Sequence, residues 1–322
     1  MKTIIRTLIS LGFLVGLFFL MRGNFPEILS ALKNADWRFL AAAFLVSLTM
    51  IVIGAKRLQI IFIARETPIR FWHCCNITLI GFFFNNFLPT SVGGDIVKAM
   101  CAARITGDSV RAVSSIVMDR IFGFFMVILI PSFSFLFLLK SNENPVVPIV
   151  IYSALAASLI GFLLVFHRGA AKRLAFIGRF LDRFVLGTKI RKLHEDLRGF
   201  GRHKSLMIKA VLLSLLGQSA GIVMIYLLAL SLGAQLSIIY FFILIPVVGL
   251  ISMLPSLNGL GIREGAYIYF LGPHIGKENA AALGVLFLGL LFLLSIIGGI
   301  IYLINDGYRN IGPQSPLNNV ER

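Results

Sequence analysis

Long apolar runs alternate with short polar and basic segments along the whole chain. A helix that crosses a membrane needs about 20 predominantly apolar residues. Six runs come close to or exceed that length, at residues 4–21, 37–55, 116–139, 148–166, 208–232 and 281–304. The pattern predicts an all-α polytopic membrane protein with about six full transmembrane helices, forming one transmembrane domain over residues 1–322.

Two further apolar segments, 74–104 and 238–272, are each interrupted by proline and glycine. The first interruption reads Pro89-Thr90-Ser91-Val92-Gly93-Gly94-Asp95, and the second reads Pro255-Ser256-Leu257-Asn258-Gly259-Leu260-Gly261. Unwound backbone in hydrocarbon leaves N–H and C=O groups unpaired unless they line protein or a wet cavity. We therefore expect two re-entrant broken helical hairpins that enter the membrane, turn and leave beside a cavity.

The two interruptions resemble each other at an offset of 166 residues. Leu88-Pro89-Thr90 and Gly93 are matched by Leu254-Pro255-Ser256 and Gly259. So short a match also arises by chance, but each interruption is preceded and followed by a full apolar span. The sequence predicts two repeats, at about 37–139 and 208–304, and such repeats with interrupted segments are typical of transporters whose substrate site lies near the midplane.

Basic residues in the loops set the expected orientation, because Lys and Arg accumulate on the cytoplasmic side. The linker 167–208 is strongly basic, with twelve basic and three acidic residues between Arg168 and Lys209. We expect this linker and both termini to be cytoplasmic, in the inner (plasma) membrane. The first hairpin then enters from the cytoplasm and the second from outside, which makes the repeat an inverted one.

Composition agrees with a membrane protein and excludes a soluble enzyme. The chain is 58% hydrophobic and 14% charged with a net charge of +16, whereas soluble proteins carry about 25% charged residues. The positive charge points to anionic lipid as partner and not to nucleic acid. Three cysteines and five histidines show no metal-ligand spacing, and we expect no cofactor.

Charged residues at the interruptions are the first candidates for a function, because ionisable groups inside a membrane are costly. We expect Asp95 to cap the short helix after the first break, whose N-terminus would suit a lipid phosphate, with Lys98 one turn later. Arg263 is the strongest candidate for a head-group contact, since its planar fork pairs bidentately with phosphate. The alternatives are a pure cap and topology marker at the first break, and an internal ion pair of Arg263 with Glu264 or Asp95.

Asp119 and Arg120 lie where the third full span begins, and Arg120 either adds to a phosphate site or pairs with Asp95. Amide side chains at the breaks either bind a polar head group or satisfy loose backbone. The predicted substrate-binding set is Asn86, Pro89, Gly93, Gly94, Asp95, Lys98, Asp119, Arg120, Asn258, Gly259, Gly261, Arg263 and Glu264.

Three features of the chain carry a family resemblance. They are the Pro-x-x-x-Gly-Gly-Asp break at 89–95 with Lys98, the Asp119-Arg120 pair, and the Gly-Leu-Gly-x-Arg-Glu break at 259–264. Together they resemble the transmembrane region of lysylphosphatidylglycerol synthases, a flippase-like (UPF0104-type) family. The resemblance covers nearly the whole chain. It implies movement of a lipid, an aminoacylated phospholipid or a lipid-linked sugar between leaflets. The synthase domain fused to this region in some family members has no counterpart among the 18 residues after Ile304.

Two classes of function follow. The first is a flippase for an anionic phospholipid or a polyprenyl-phosphate-linked sugar, with the head group between the two hairpins. The second is a membrane-embedded enzyme, or a subunit that presents lipid to a separate lipid-modifying synthase. The sequence contains no HxxxH, DxD or nucleotide-binding loop motif, so an enzyme is the weaker expectation. Product formation in liposomes separates the two classes.

Overall fold

The computed structural model describes residues 25–87, 93–138, 153, 155–156, 199–200, 203–252, 259 and 261–305. The main elements of this part of the chain are helices and it contains no strand. They are α1 (Phe25–Lys33), α2 (Trp37–Ala64), α3 (Phe71–Phe87), α4 (Gly93–Thr106), α5 (Ser109–Leu138), α6 (Lys204–Ser231), α7 (Ile238–Ile251), α8 (Ile262–Ile275) and α9 (Lys277–Ile304).

Four of these helices, α2, α5, α6 and α9, are long and apolar enough to cross a membrane. They coincide with the predicted spans 37–55, 116–139, 208–232 and 281–304. The predicted spans 4–21 and 148–166 lie outside the described residues, apart from three helical positions in the second. Side chains such as Leu45, Ile208 and Leu303 are exposed on these helices, as expected of surfaces that face lipid.

The helices are longer than their apolar runs. α2 continues past residue 55 to Ala64, and α5 begins at Ser109, ahead of residue 116. The additional turns of α2 carry Arg57, whereas Asp119 and Arg120 of α5 lie inside the predicted span 116–139. Hydropathy alone ended the first of these spans ahead of Lys56 and Arg57, whereas the helix accommodates Arg57 through the ion pair described below.

The interrupted segments are two pairs of short helices. α3 and α4 flank residues 88–92, and α7 and α8 flank residues 252–261. Pro89 and Asn258, both in the predicted site, lie outside the described residues. Asp95 was expected to cap α4 but is the third residue of that helix, because the helix already begins at Gly93. Its carboxylate is therefore in the first turn, where a negative charge still favours the helix dipole.

The order and length of the helices repeat along the chain. α2 and α6 both have 28 residues, α4 and α8 both have 14, α3 and α7 have 17 and 14, and α5 and α9 have 30 and 28. The packing is exchanged between the halves, since α3 packs on α9 while α7 packs on α5. Among the described helices, the most extensive packing is that of α2 on α6.

α2 and α6 run antiparallel. Met50 faces Gly221, Ile53 faces Gly217, and Arg57 bonds to Ser214, so one residue number rises as the other falls. A methyl group added at Gly217 would lie 3.4 Å from Ile53 Cγ2, and one at Gly221 would lie 3.1 Å from Met50 Cε. These small residues let the two backbones approach closely, as at many interfaces between membrane helices.

Candidate functional site

A cavity of about 230 Å³ lies beside the α2–α6 contact. It is walled by five helices, α2, α3, α4, α5 and α6. Its polar lining includes Arg57, Asn85, Lys98, Asp119, Ser214 and Gln218, and its apolar lining includes Met50, Ile53, Phe82 and Leu213. Two cationic side chains, one carboxylate and several hydrogen-bonding groups therefore meet among helices whose outer surfaces are apolar. Such a lining suits a ligand with a polar part and an apolar part.

Arg57 and Asp119 form the first ion pair of the cavity wall. Arg57 Nε donates to Asp119 Oδ1 over 2.6 Å, and Arg57 Nη1 donates to Ser214 Oγ over 3.2 Å. The two side chains are only 18% and 11% exposed. A buried charge needs both a counter-charge and hydrogen bonds, and here α2, α5 and α6 supply them together.

Asp95 is the centre of a second group of charges. Its carboxylate pairs closely with Arg120 on α5 and lies 3.6 Å from Lys98 Nζ on its own helix. The Arg120 guanidinium also lies 5.2 Å from the centre of the Phe124 ring. Because Asp119 and Arg120 are consecutive, α5 links the two groups of charges into one cluster.

The Lys98 side chain crosses the face of α3 at Gly81. A methyl group at Gly81 would overlap Lys98 Cε and lie 2.9 Å from Lys98 Cγ. Glycine at this position leaves the room in which the stem of Lys98 packs while its ammonium reaches the cavity. Gly94 is equally confined, because its own added methyl would meet the Gly81 carbonyl oxygen.

Asn85 and Asn86 stabilise the backbone around the first break. Asn85 Oδ1 accepts from Gly94 N over 2.9 Å, which bonds the end of α3 to the start of α4. Asn86 Nδ2 donates to Ser295 Oγ and, over 3.3 Å, to Leu291 O, both on α9. Amides at the breaks were expected either to bind a head group or to satisfy loose backbone. The hydrogen bonds of Asn85 and Asn86 are of the second kind, to backbone and to a neighbouring helix.

The second break is built differently. Gly259 and Gly261 have positive φ angles of 77° and 81°, which glycine adopts without steric cost. Glu264 Oε2 accepts from Gly261 N over 2.7 Å. Its Oε1 accepts from Arg263 Nη2 over 2.9 Å. The start of α8 is therefore held by its own carboxylate.

Arg263 and Glu264 are each 8% exposed. The Arg263 guanidinium lies 4.5 Å from the centre of the Phe287 ring on α9. Tyr267, 1% exposed, packs edge-on against the same ring. Of the two roles expected for Arg263, the internal ion pair is present, and its partner is Glu264.

The predicted site residues thus fall into two groups. Asp95, Lys98, Asp119 and Arg120 form one cluster at the cavity, with Gly93, Gly94 and Asn86 at the adjoining break. Gly259, Gly261, Arg263 and Glu264 lie together at the second break, and none of them lines the cavity. No group of three His, Cys, Asp or Glu side chains within the described ranges is placed to hold a metal ion.

Sequence analysis did not identify Arg57 as a site residue. The available signal was its spacing from other residues. Met50, Ile53, Gly54 and Arg57 stand at i, i+3, i+4 and i+7, which is one face of a helix, and all four line the cavity. An arginine in register with the packed face of a span is a candidate for a buried ion pair.

Comparison with known proteins decides the family. Residues 4–299 match the family described as the lysylphosphatidylglycerol synthase TM region. The chain belongs to this family. Two relatives come from Methanothermobacter thermautotrophicus, and both are named UPF0104 membrane protein. One is 23% identical over 314 residues, covering 88% of each chain, and the other is 25% identical over 276 residues, covering 76% of this chain and 78% of the relative.

No solved structure matches the chain. Family membership confirms the resemblance drawn from the Gly-Gly-Asp and Gly-x-Arg-Glu breaks, and it identifies the protein as a membrane protein with several apolar helices. The long helices α2, α5, α6 and α9 lie within or almost within the matched region 4–299.

Proposed function

We propose that this protein moves a lipid between the two leaflets of the membrane, with the lipid head group in the cavity beside α2 and α6. The lipid is a phospholipid, an aminoacylated phospholipid or a lipid-linked sugar. The observation that carries the proposal is the charged cluster of Arg57, Lys98 and Asp119 in a cavity enclosed by helices with apolar outer faces. A head group can pass through such a polar interior while the acyl chains stay in the surrounding lipid.

The proposal includes an inverted repeat made of α2–α5 and α6–α9. It is supported by the matched helix lengths, by the exchanged packing of α3 on α9 and α7 on α5, and by the antiparallel contact of α2 with α6. Two like helices that meet antiparallel belong to halves of opposite orientation. In this arrangement α3–α4 and α7–α8 are the re-entrant hairpins, entering from opposite faces.

The cavity would then open toward the cytoplasm. Arg57 lies near the C-terminal end of α2 and Ser214 in the N-terminal half of α6, and both ends are cytoplasmic if the basic linker 167–208 is. Trp37 begins α2 and Trp72 is in the first turn of α3, and they are 72% and 75% exposed. Tryptophan concentrates at both surfaces of a membrane, which agrees with α2 as a membrane span.

Partners in this proposal are membrane lipids and, as a second possibility, a separate lipid-modifying synthase that receives or delivers the lipid. The family's description as a region of a synthase favours this second possibility over catalysis by the chain itself. Transport without any partner would show that such a synthase is dispensable for the movement of lipid.

The test is reconstitution of the purified chain in liposomes that contain a fluorescent phosphatidylglycerol. Dithionite added outside quenches only the outer leaflet, so transport appears as a faster loss of the protected half. We expect quenching well above that of protein-free vesicles, and at least a tenfold loss of rate in Arg57→Gln and Lys98→Gln, about the effect of one charged contact.

Lys56→Gln is the matched control, because Lys56 neighbours Arg57 but is exposed and outside the cavity lining. Its ammonium bonds to Gln59 and lies 6.0 Å from the centre of the Phe71 ring. It should retain the rate of the unaltered chain. Folding of every variant is checked by gel filtration in detergent. Vesicles with folded protein that quench no faster than protein-free vesicles would contradict the proposal.

A further inference from the structure

The charges of the cavity cluster do not balance. Arg57, Lys98 and Arg120 are cationic, and Asp95 and Asp119 are anionic. Counted by formal charge over these five described side chains, the cluster has one positive charge in excess. From this imbalance, and resting on the proposed function, we infer that the site selects a lipid whose head group is a monoanionic phosphodiester with an uncharged polar substituent.

Lys98 is where the excess charge lies. Arg57 and Asp119 compensate each other over 2.6 Å. Asp95 pairs closely with Arg120 and reaches Lys98 only over 3.6 Å. Lys98 lines the cavity, whereas Asp95 and Arg120 do not belong to its lining. The ammonium of Lys98 is therefore the cation that a head group meets with the least competition from the protein's own carboxylates.

Burial makes the sign and number of charges decisive. Lys98 and Asp95 side chains are 15% and 13% exposed, so water screens them weakly. A single negative charge brings the cluster to neutrality. A phosphate monoester with two negative charges would leave the cluster with one negative charge in excess. A head group that carries an ammonium beside its phosphate adds a positive charge, so the cluster would keep a positive excess.

The lining has polar groups for an uncharged substituent beside the phosphate. Ser214 and Gln218 on α6 and Thr78 on α3 line the same cavity. The Ser214 and Thr78 hydroxyls donate to Ala210 O and Cys74 O on their own helices, so toward a ligand their oxygens act as acceptors, while the Gln218 amide both donates and accepts. This lining suits hydroxyls such as those of glycerol. The Arg57–Asp119 pair stays intact in this arrangement, because the phosphate takes the charge that remains on Lys98.

The experiment compares lipids within the same vesicles, so that their ratio does not depend on the fraction of active protein. Fluorescent phosphatidylglycerol, phosphatidylethanolamine and lysylphosphatidylglycerol are assayed by dithionite quenching at neutral pH. We expect phosphatidylglycerol to move about tenfold faster than either amine-bearing lipid, the ratio that one charge contact supplies. Equal rates for all three would overturn the inference and leave transport itself established, whereas no movement of any lipid would contradict the proposed function.

Two substitutions change the charge in opposite directions. Lys98→Gln removes the excess, and the preference for phosphatidylglycerol over phosphatidylethanolamine should fall toward one. Asp119→Asn removes a negative charge and so raises the positive excess of the cluster to two. The preference should then move toward phosphatidic acid at pH 8, where the phosphate of that lipid carries most of two negative charges. Lys56→Gln should keep the ratios of the unaltered chain. A preference that is the same in all four proteins would overturn the assignment to this cluster.

A soluble diester of the same chemistry is distinguished by loading vesicles with labelled glycerophosphoglycerol. Retention inside the vesicles, together with movement of phosphatidylglycerol, supports the lipid as the source of the head group. Release through the protein would assign the site to the free diester and overturn the inference.

Discussion

Arg57 on α2 and Asp119 on α5 are joined by an ion pair of 2.6 Å although 62 residues separate them in the sequence. The pair connects two helices that each have the length and hydropathy of a membrane span. Neither charge could remain at this depth alone, because a buried charge without a partner is costly. The same two side chains therefore contribute both to the stability of the fold and to the polarity of the cavity.

The first prediction concerns this pair. Arg57→Met and Asp119→Leu should each lower the free energy of unfolding by about 3 kcal/mol, because each leaves one charge without its partner. The double variant should lose clearly less than the sum of the two. Thermal unfolding in detergent measures all three. Additive losses would mean that the two side chains do not interact in the folded protein.

The second prediction concerns the contact of α3 with α9. A methyl group at Gly298 would meet the carbonyl oxygen of Leu79, and backbone cannot move aside as a side chain can. Gly298→Ala should therefore destabilise the protein by about 1–3 kcal/mol. Gly289→Ala on the same helix is the control, since a methyl there meets nothing within 4 Å. Similar unfolding temperatures for the two variants would contradict this packing.

The third prediction separates the two roles considered for Arg263. Arg263→Ala should destabilise the protein by about 3 kcal/mol, because it leaves Glu264 buried and charged without its partner. Adding Glu264→Gln should recover part of the loss, since the amide oxygen can still accept from Gly261 N. If Arg263→Ala instead keeps full stability and loses only transport, Arg263 contacts the head group.

The fourth prediction concerns Gly81. In Gly81→Ala the added methyl displaces the stem of Lys98, which is flexible and can move at small cost. We expect little change in unfolding temperature and a several-fold loss of phosphatidylglycerol transport, since the ammonium leaves its place in the cavity. Gly249→Ala is the control on the second pair of short helices, where a methyl meets nothing within 4 Å. Unchanged transport in Gly81→Ala would show that the position of Lys98 is not critical.

The fifth prediction concerns orientation. The native cysteines Cys74, Cys75 and Cys101 are buried, so a new exposed cysteine dominates labelling. In the proposed topology His274, one residue before the end of α8, is on the outer side and Arg104, near the end of α4, is on the cytoplasmic side. A membrane-impermeant maleimide applied to intact cells should therefore label His274→Cys and should not label Arg104→Cys. The opposite pattern would invert the proposed topology.

Much of the helical pattern could be read from the sequence, because span length and proline–glycine interruptions are local properties. The positions of α2, α5, α6 and α9 followed from apolar runs, and the two pairs of short helices followed from the breaks at 88–95 and 254–261. The C-terminal end of α2 did not follow, since the turn around Arg57 is stabilised by a contact with Asp119 in a distant part of the chain. The start of α5 at Ser109 also lies ahead of its apolar run.

The candidate site was predicted less completely. Asp95, Lys98, Asp119 and Arg120 were recognised as charges at membrane depth, and the Asp95–Arg120 pair was one of the stated alternatives. The sequence could not decide that Arg263 forms an ion pair with Glu264, and it could not show that the cavity lies beside α6. Those facts depend on the packing of helices, which no local pattern contains.

The length of the uncharged stretch of α2 determines which bilayer thickness fits the protein. Residues 39–55 lie between Arg38 and the exposed Lys56, and these 17 residues cover about 26 Å at about 1.5 Å per residue. A hydrocarbon layer of about 30 Å would draw the Lys56 ammonium toward the acyl chains unless its stem snorkels or the bilayer thins. Membranes made of short-chain lipids therefore fit this helix better than thick, sterol-rich ones.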